Sequence, residues 1–201
     1  MITYQTLSEK LNFNKDLPFT PDWSAAADFL NIISDHCLTL KPEIIVECSC
    51  GLSTLILARC CQLNGIGHVY SLENGPDYAA RTRQQLEQFN LTQYASVIDA
   101  PLEKITLHKT DYLWYSTHEL PDETIDMLVI DGPPGFMQKN SRYPALPLLT
   151  KRLSRHCVVF LDDAARDDEQ NIIRQWLKDY PQLTHQYISA ERGCSILTAG
   201  T

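Results

Sequence analysis

One segment indicates the class of fold: Ile44-Ile-Val-Glu-Cys-Ser-Cys-Gly-Leu-Ser-Thr54, which joins a β-branched run to a loop of small residues and a helix. Small residues at positions 49, 51 and 53 let the backbone approach a ligand closely. A helix N-terminus directly beyond such a loop presents free N–H groups. The segment therefore predicts a strand, a ligand-facing loop and a helix, although a tight turn without a ligand is the simpler alternative.

The alternation of strand and helix continues along the chain. Further apolar runs predict strands at 68–73, 95–99, 126–131 and 157–162, with helices at 53–61, 76–89, 141–153 and around 172–180. Continuous apolar runs are typical of parallel strands that are covered by helices on both faces. The tail predicts two antiparallel strands, 186–190 and 194–198. We therefore expect an α/β fold: a Rossmann-like, doubly wound, mostly parallel seven-stranded sheet with a C-terminal antiparallel hairpin.

Two regions flank or interrupt this pattern. Residues 1–40 predict a helical extension, in which Thr20-Pro21 resembles a helix start, and residues 41–201 predict the main domain. Residues 100–124 look irregular and are either a lid over the site or an extra hairpin packed on the sheet.

Composition narrows the class of partner and the compartment. The net charge is −8, and the best candidate for a basic cluster, Lys151-Arg152 with Arg155, is weak alone, so a nucleic-acid partner is not expected. The chain has no apolar run long enough to cross a membrane and no signal-peptide pattern. The seven cysteines include no Cys-x-x-Cys pair and lie mostly in apolar segments, so reduced thiols and a cytoplasmic location are expected. The sequence does not determine the oligomeric state, and a homo-oligomer is one of the possibilities.

Carboxylates end five consecutive predicted strands, and in an open parallel sheet ligands bind outside these carboxyl ends. This acidic rim suits a ligand with hydroxyls or amines, or a cation. Its members are Glu47, Glu73, Asp99, Asp131 and the pair Asp162-Asp163.

The loop and the second carboxylate favour one kind of ligand. Glu73 can accept hydrogen bonds from both hydroxyls of a ribose and would repel a 2′-phosphate. The loop at 49–53 has a single glycine, which fits a pyrophosphate poorly. An adenosine ligand without a pyrophosphate fits these features best.

The ordered set of motifs resembles the class I S-adenosylmethionine-dependent methyltransferases, in particular a small bacterial group with the stretch Asp131-Gly-Pro-Pro-Gly135. The other matching segments are Val46–Thr54, Tyr70–Glu73, Asp126–Ile130, Arg142–Leu146 and Phe160–Ala164. The resemblance implies S-adenosylmethionine as cofactor and methyl transfer to a small-molecule acceptor, at oxygen rather than nitrogen. A non-catalytic S-adenosylmethionine-binding module and a nicotinamide-dependent oxidoreductase are the alternatives.

The resemblance also implies roles for individual residues. The loop residues would hold the methionine part and the ribose edge, Glu73 the ribose hydroxyls, and Asp99 with the Ala100 backbone the adenine amine. Asp131 would lie beside the sulfonium and the acceptor. The family usually has glycine at the position of Ser49. The loop set consists of Glu47, Ser49, Gly51, Ser53 and Thr54.

A metal site is a further expectation. Asp131, Asp162 and Asp163 resemble the ligands of the metal-dependent catechol-type O-methyltransferases, and such oxygen ligands suit Mg²⁺. In the alternative, Asp162 or Asp163 caps the next helix and Arg166 neutralises one of them.

The catalytic base is not specified by the motifs. Asp131 and Lys139 are the candidate catalytic residues, because Pro134 occupies the position of the catechol-type lysine base and Lys139 lies on the same loop. His108, His118 and Tyr143 are further candidates.

Overall fold

A computed structural model describes residues 2–21 and 23–199 of the chain. Its nine strands are Ile44–Cys48 (β1), His68–Glu73 (β2), Ala95–Asp99 (β3), Leu102–Leu107 (β4), Thr110–Tyr115 (β5), Ile125–Ile130 (β6), Leu153–Leu161 (β7), Leu183–Ile188 (β8) and Cys194–Ala199 (β9). The six α-helices are Tyr4–Lys10 (α1), Ala27–Leu40 (α2), Leu52–Asn64 (α3), Pro76–Gln88 (α4), Ala145–Leu149 (α5) and Asp167–Asp179 (α6).

Seven of these strands form the main sheet, in the order β3-β2-β1-β6-β7-β9-β8. The first five in that order run parallel, whereas β9 pairs antiparallel with both β7 and β8. The predicted seven-stranded, mostly parallel sheet with a C-terminal antiparallel hairpin is therefore confirmed. Strand order reverses at β1, which pairs with β2 on one side and β6 on the other, and ligands bind at such a switch point.

Both faces of the central strands β1, β6 and β7 are buried, because successive residues of these strands enter different cores. On β7, Phe160 belongs to the core beneath α1 to α4, and Val159 to the core beneath α5 and α6. Leu7 of α1 and Phe29 of α2 share the first core with Leu55 of α3. The N-terminal helices therefore pack on the domain, while the predicted boundary at residue 40 stays a prediction.

Residues 100–124, for which the sequence predicts either a lid or an extra hairpin, contain the β-hairpin β4–β5. Its strands pair antiparallel, with Leu102 opposite Tyr115. Trp114 is fully buried and Tyr115 is 4% exposed, and both lie in the core beneath α5 and α6. The hairpin is therefore part of the packed structure.

Two helix predictions need correction. The second helix begins at Ala27 rather than after Thr20, because the Ser24 hydroxyl accepts a hydrogen bond from the Thr20 N–H and closes a separate turn there. The predicted helix 141–153 is reduced to α5 and a 3₁₀ turn at Thr150–Arg152. Prolines at 144 and 147 cannot donate hydrogen bonds, which limits the length of this helix.

All seven cysteines are free thiols, and all but the half-buried Cys50 are buried. Among residues 2–21 and 23–199, no helix combines the length and apolarity that crossing a membrane requires.

Candidate active site

Three adjoining cavities lie along the carboxyl edge of the sheet, with volumes of about 670, 300 and 50 Å³. Trp23 and Ser49 line all three of them. We name them by position: the Asp131 cavity is the largest, the Glu73 cavity is intermediate, and the loop cavity is the smallest. Three carboxylates of the predicted rim, Glu73, Asp131 and Asp163, line this groove.

Ser49 occupies the centre of this groove in a backbone conformation that favours glycine. Its φ angle is 109°, and its N–H donates to the Leu72 carbonyl at 2.9 Å. Side chains other than glycine adopt such a φ only at an energetic cost. The unusual serine of this loop is thus held in place by its neighbours rather than by its own preference.

The start of α3 forms the wall of the loop cavity. Gly51, with a φ of 143°, and Ser53 both line this cavity. Thr54 does not, because its hydroxyl points inward, where it accepts from the Gly51 N–H at 3.0 Å and donates to Glu47. Thr54 therefore holds the loop instead of facing the groove.

Glu47 is fully buried beneath the loop. Its Oε2 atom accepts hydrogen bonds from the hydroxyls of Thr54 at 2.5 Å and Ser71 at 2.6 Å. Its Oε1 atom has no hydrogen-bond partner within the described residues. Burial raises the pKa of Glu47 to about 7, and the nearby hydroxyls of Ser53, Ser71 and Thr54 oppose this increase. Glu47 thus fixes the loop from below and carries a proton over part of the neutral pH range.

Glu73 lines the intermediate cavity, where the sequence placed a ribose. Its Oε1 atom accepts the Gly75 N–H at 2.7 Å, which orients the carboxylate at the end of β2. Tyr78 and Trp23 stand beside it, with ring centroids 5.4 Å apart. A carboxylate next to two aromatic faces suits a nucleoside, whose ribose donates hydrogen bonds and whose base stacks.

Asp99 and Ala100 lie outside the three cavities. Asp99 is largely exposed and pairs with Arg83 at 2.8 Å. The Ala100 N–H donates to the Glu73 carbonyl at 2.7 Å and is not free for a ligand. Their predicted contact with the adenine amine stays a prediction.

Asp131 directly follows β6 and lines both the Asp131 cavity and the loop cavity. Burial raises its pKa to about 6, with the nearby Asp163 adding to the increase and Arg142 opposing it. A carboxylate with such a pKa is ionised at neutral pH and can still hold a proton transiently. Such a carboxylate can accept a proton from a group that is bound in the Asp131 cavity.

Asp131, Asp162 and Asp163 come together as predicted, with potential ligand oxygens within 4.8 Å of one another. Burial also raises the pKa of Asp162 well above its ordinary value, and Asp131 and Asp163 add to this. Arg166 pairs with Asp163 at 2.8 Å, as the alternative interpretation expected, but neither aspartate caps α6.

Arg142 lies within this cluster and was the main residue that sequence reasoning missed. Its side chain is only 3% exposed. Its Nη2 atom donates to Asp131 Oδ1 at 3.1 Å and to Asp163 Oδ2 at 2.8 Å. The segment Arg142–Leu146 is one of the motifs that carry the resemblance, but nothing in its pattern links the guanidinium to these aspartates.

The remaining catalytic candidates lie away from the groove. Lys139 is exposed and does not line the three cavities. The Tyr143 hydroxyl donates to Asp179 at 2.9 Å, and His118 is exposed beside Glu103. His108 lies in the exposed turn between β4 and β5. The catalytic role of Lys139 stays a prediction, and no contact among the described residues supports it.

Solved structures with the same fold include three methyltransferases. Methyltransferase PaMTH1 of Podospora anserina, bound to S-adenosylhomocysteine (SAH), matches with a TM-score of 0.70 and 14% identity over 98% of this chain and 88% of that chain. An O-methyltransferase of Bacillus cereus in complex with SAH has a TM-score of 0.66 and 18% identity over 98% and 91%. The O-methyltransferase TomG of Streptomyces achromogenes, in complex with SAM (S-adenosylmethionine), has a TM-score of 0.62 and 12% identity over 98% and 87%. At these identities, the likeness establishes the fold alone.

Sequence comparison establishes the family. No curated protein matches the chain. The family described as "Methyltransferase domain" matches residues 46–164, from the middle of β1 to the segment after β7. Because this match covers more than half of the chain, the protein belongs to that family of methyltransferases.

Proposed function

We propose that this methyltransferase transfers the methyl group of S-adenosylmethionine to a hydroxyl oxygen of a small molecule that binds beside Asp131. The observation that carries the proposal is the position of Asp131, whose carboxylate borders both the largest cavity and the loop cavity. A group at this junction can contact an acceptor in one cavity while the methyl donor lies in the other.

The Glu73 cavity is the proposed site of the adenosine part of the cofactor. Glu73 would accept the ribose hydroxyls, and Tyr78 and Trp23 would border the base. The SAH-bound and SAM-bound structures with this fold support the same cofactor here. The methionine part would extend past Ser49 into the loop cavity, which Gly51 and Ser53 line.

Methyl transfer to a hydroxyl requires the acceptor oxygen to be aligned with the methyl group, and it requires one group that accepts the hydroxyl proton. The bond between sulfur and the methyl carbon breaks as the acceptor oxygen bonds to that carbon, and SAH leaves. The hydroxyl proton passes to Asp131, whose pKa near 6 keeps the carboxylate ionised at neutral pH. An amine acceptor has less need of such a base, which favours oxygen over nitrogen.

The large cavity indicates the kind of acceptor. Phe136, 82% exposed, and Trp23, 52% exposed, offer aromatic surfaces at its border. Arg166 and Arg192 line the same cavity together with Asp167 and Asp168, so charges of both signs are present. A flat, hydroxylated molecule with polar substituents suits these walls.

Cation assistance depends on the same aspartates that Arg142 contacts. A magnesium ion held by Asp131, Asp162 and Asp163 would lower the pKa of the acceptor hydroxyl. Arg142 donates to oxygens of two of these three carboxylates. The proposed reaction therefore does not include a metal ion.

Calorimetric titration with SAH tests the cofactor site. We expect wild-type protein to bind SAH, and Glu73→Gln to bind it about ten- to hundred-fold more weakly, because a neutral amide accepts hydrogen bonds from the ribose less strongly. Glu103→Gln, an exposed change on β4 away from the cavities, is the matched control and should bind like wild type. Unchanged SAH affinity in Glu73→Gln, or no binding by wild type, would overturn the proposal.

A further inference from the structure

We propose that Arg142 acts as a built-in cation in the acidic cluster, so that this methyltransferase works without a divalent metal ion. The inference rests on the proposed function, in which Asp131 faces the acceptor. It concerns a residue to which neither the family match nor the structural likeness assigns a role. In this view Arg142 is a positioning residue that fixes the direction of the Asp131 carboxylate.

The guanidinium joins the ends of two neighbouring strands. Nη2 donates to the Asp131 carbonyl at 2.7 Å and to Asp131 Oδ1 at 3.1 Å, both just beyond β6. Nη1 donates to the Asp162 carbonyl at 2.9 Å, just beyond β7. Nη2 also donates to Asp163 Oδ2 at 2.8 Å. A bound metal ion would have to bridge these same strand ends.

The arginine is held firmly in this position. The turn that carries Arg142 is anchored by the Ser141 hydroxyl, which donates to the Pro133 carbonyl at 2.9 Å. On its other side, Trp176 Nε1 of α6 donates to the Tyr143 carbonyl at 2.9 Å. The side chain is 3% exposed and its two Nη atoms donate to four oxygens, so it cannot swing into solvent without leaving several buried groups unpaired.

Charge and geometry both oppose a metal ion beside this guanidinium. The Asp163 Oδ2 atom accepts a hydrogen bond from Arg142 at 2.8 Å and lies 2.8 Å from Arg166 Nη1 in an ion pair, and Glu169 lies 3.7 Å from Arg142. A divalent ion bound to Asp131 and Asp163 would lie next to a fixed positive charge in a site with little water to screen it. Arginine cannot lose its proton to make room, unlike lysine or histidine.

Two oxygens of the cluster could still bind a metal ion in spite of Arg142. Asp162 Oδ2 and Asp163 Oδ1 are buried and have no hydrogen-bond partner among the described residues. A cation that bound despite Arg142 would bind at these atoms. Any test must therefore measure metal binding directly and not rely on turnover.

The experiment is a Mn²⁺ titration followed by electron paramagnetic resonance, in which free Mn²⁺ gives a signal that binding suppresses. We expect wild type to leave millimolar Mn²⁺ free, with or without SAH, and its melting temperature to be unchanged by Mg²⁺ or by EDTA. Arg142→Gln removes the fixed charge and should gain Mn²⁺ binding and be stabilised by the ion. Arg192→Gln removes an equal charge from the same cavity without touching the aspartates' hydrogen bonds, and should not gain it.

Several outcomes separate the two proposals. Mn²⁺ binding by wild type that is lost in Asp162→Asn would overturn the inference. If Arg142→Gln does not fold, the wild-type titration and the melting temperatures still decide the question. Arg142→Lys keeps the charge, so it should stay unable to bind Mn²⁺, and metal binding by this variant would count against the charge argument. Failure of SAH to bind would refute the proposed function while the metal measurement stands.

Discussion

Replacing Glu47 by glutamine should change how the stability of the protein depends on pH. The pKa of Glu47 is about 7 in the folded protein, against 4.5 for the unperturbed group, because the carboxyl is fully buried. The folded state therefore binds more protons than the unfolded state between these two pH values. The free energy of unfolding contributed by this group falls as pH rises from 4.5 to 7, by about 2.5 pKa units or about 3 kcal/mol.

Glutamine removes this dependence and keeps most of the contacts. Its carbonyl oxygen can still accept the hydroxyls of Thr54 and Ser71, whereas its NH₂ group would occupy the place of Oε1, which has no partner among the described residues. Glu47→Gln should therefore be less stable than wild type, or equal to it, near pH 4.5. Relative to wild type it should gain about 3 kcal/mol by pH 8.

Urea denaturation between pH 4.5 and 8 measures this difference. Subtracting the two unfolding free energies at each pH cancels the titration of all groups common to both proteins. Glu43→Gln, an exposed change one residue before β1, is the control, and its difference from wild type should stay flat. A flat difference for Glu47→Gln as well would show that Glu47 titrates normally and that burial does not govern its proton affinity.

Three further changes test the loop at Ser49, the turn before β9 and the role of Asp131. Ser49→Gly should raise the melting temperature by a few degrees, because the residue's φ of 109° costs about 1–3 kcal/mol for a side chain; no increase in a thermal scan would mean that the loop is unstrained. Gly193→Ala should lower the free energy of unfolding in urea by more than about 1 kcal/mol, since φ is 75° and a Cβ there would lie 2.5 Å from the Ala165 nitrogen; a variant as stable as wild type would contradict this packing. Asp131→Asn should lower kcat by about 100-fold or more while SAH binding is kept, and wild-type kcat should fall as pH drops below about 6; a kcat close to that of wild type would remove Asp131 as the base.

The strands of the sheet could be predicted because each is marked by a local pattern in the sequence. Residues 68–73 and 95–99 are strands with the predicted bounds, since each is a short apolar run flanked by turn residues. The shortened helix at 145–149 could not be predicted from periodicity alone. There the apolar spacing continues to Leu153, but the α-helix ends at Leu149 and a 3₁₀ turn follows.

The sequence predicts only those residues of the site that lie at the ends of strands. Glu73 and Asp131 reach the groove because they end strands near the switch point in strand order. Asp99 ends an edge strand instead, where its side chain reaches solvent and Arg83. The position of Arg142 depends on how the turn before α5 packs against α6, a long-range contact that no local pattern encodes.

Trp23 borders every cavity of the groove, and this shared wall has a thermodynamic consequence. A shift of this side chain when the cofactor binds would change the affinity of the protein for the acceptor. Acceptor binding must then change the affinity for the cofactor by the same factor. The other two tryptophans, Trp114 and Trp176, are fully buried away from the groove, whereas Trp23 is half exposed. The intrinsic fluorescence of the protein would therefore follow Trp23 as each ligand binds, and a pair of titrations would give the cooperativity between the two ligands directly.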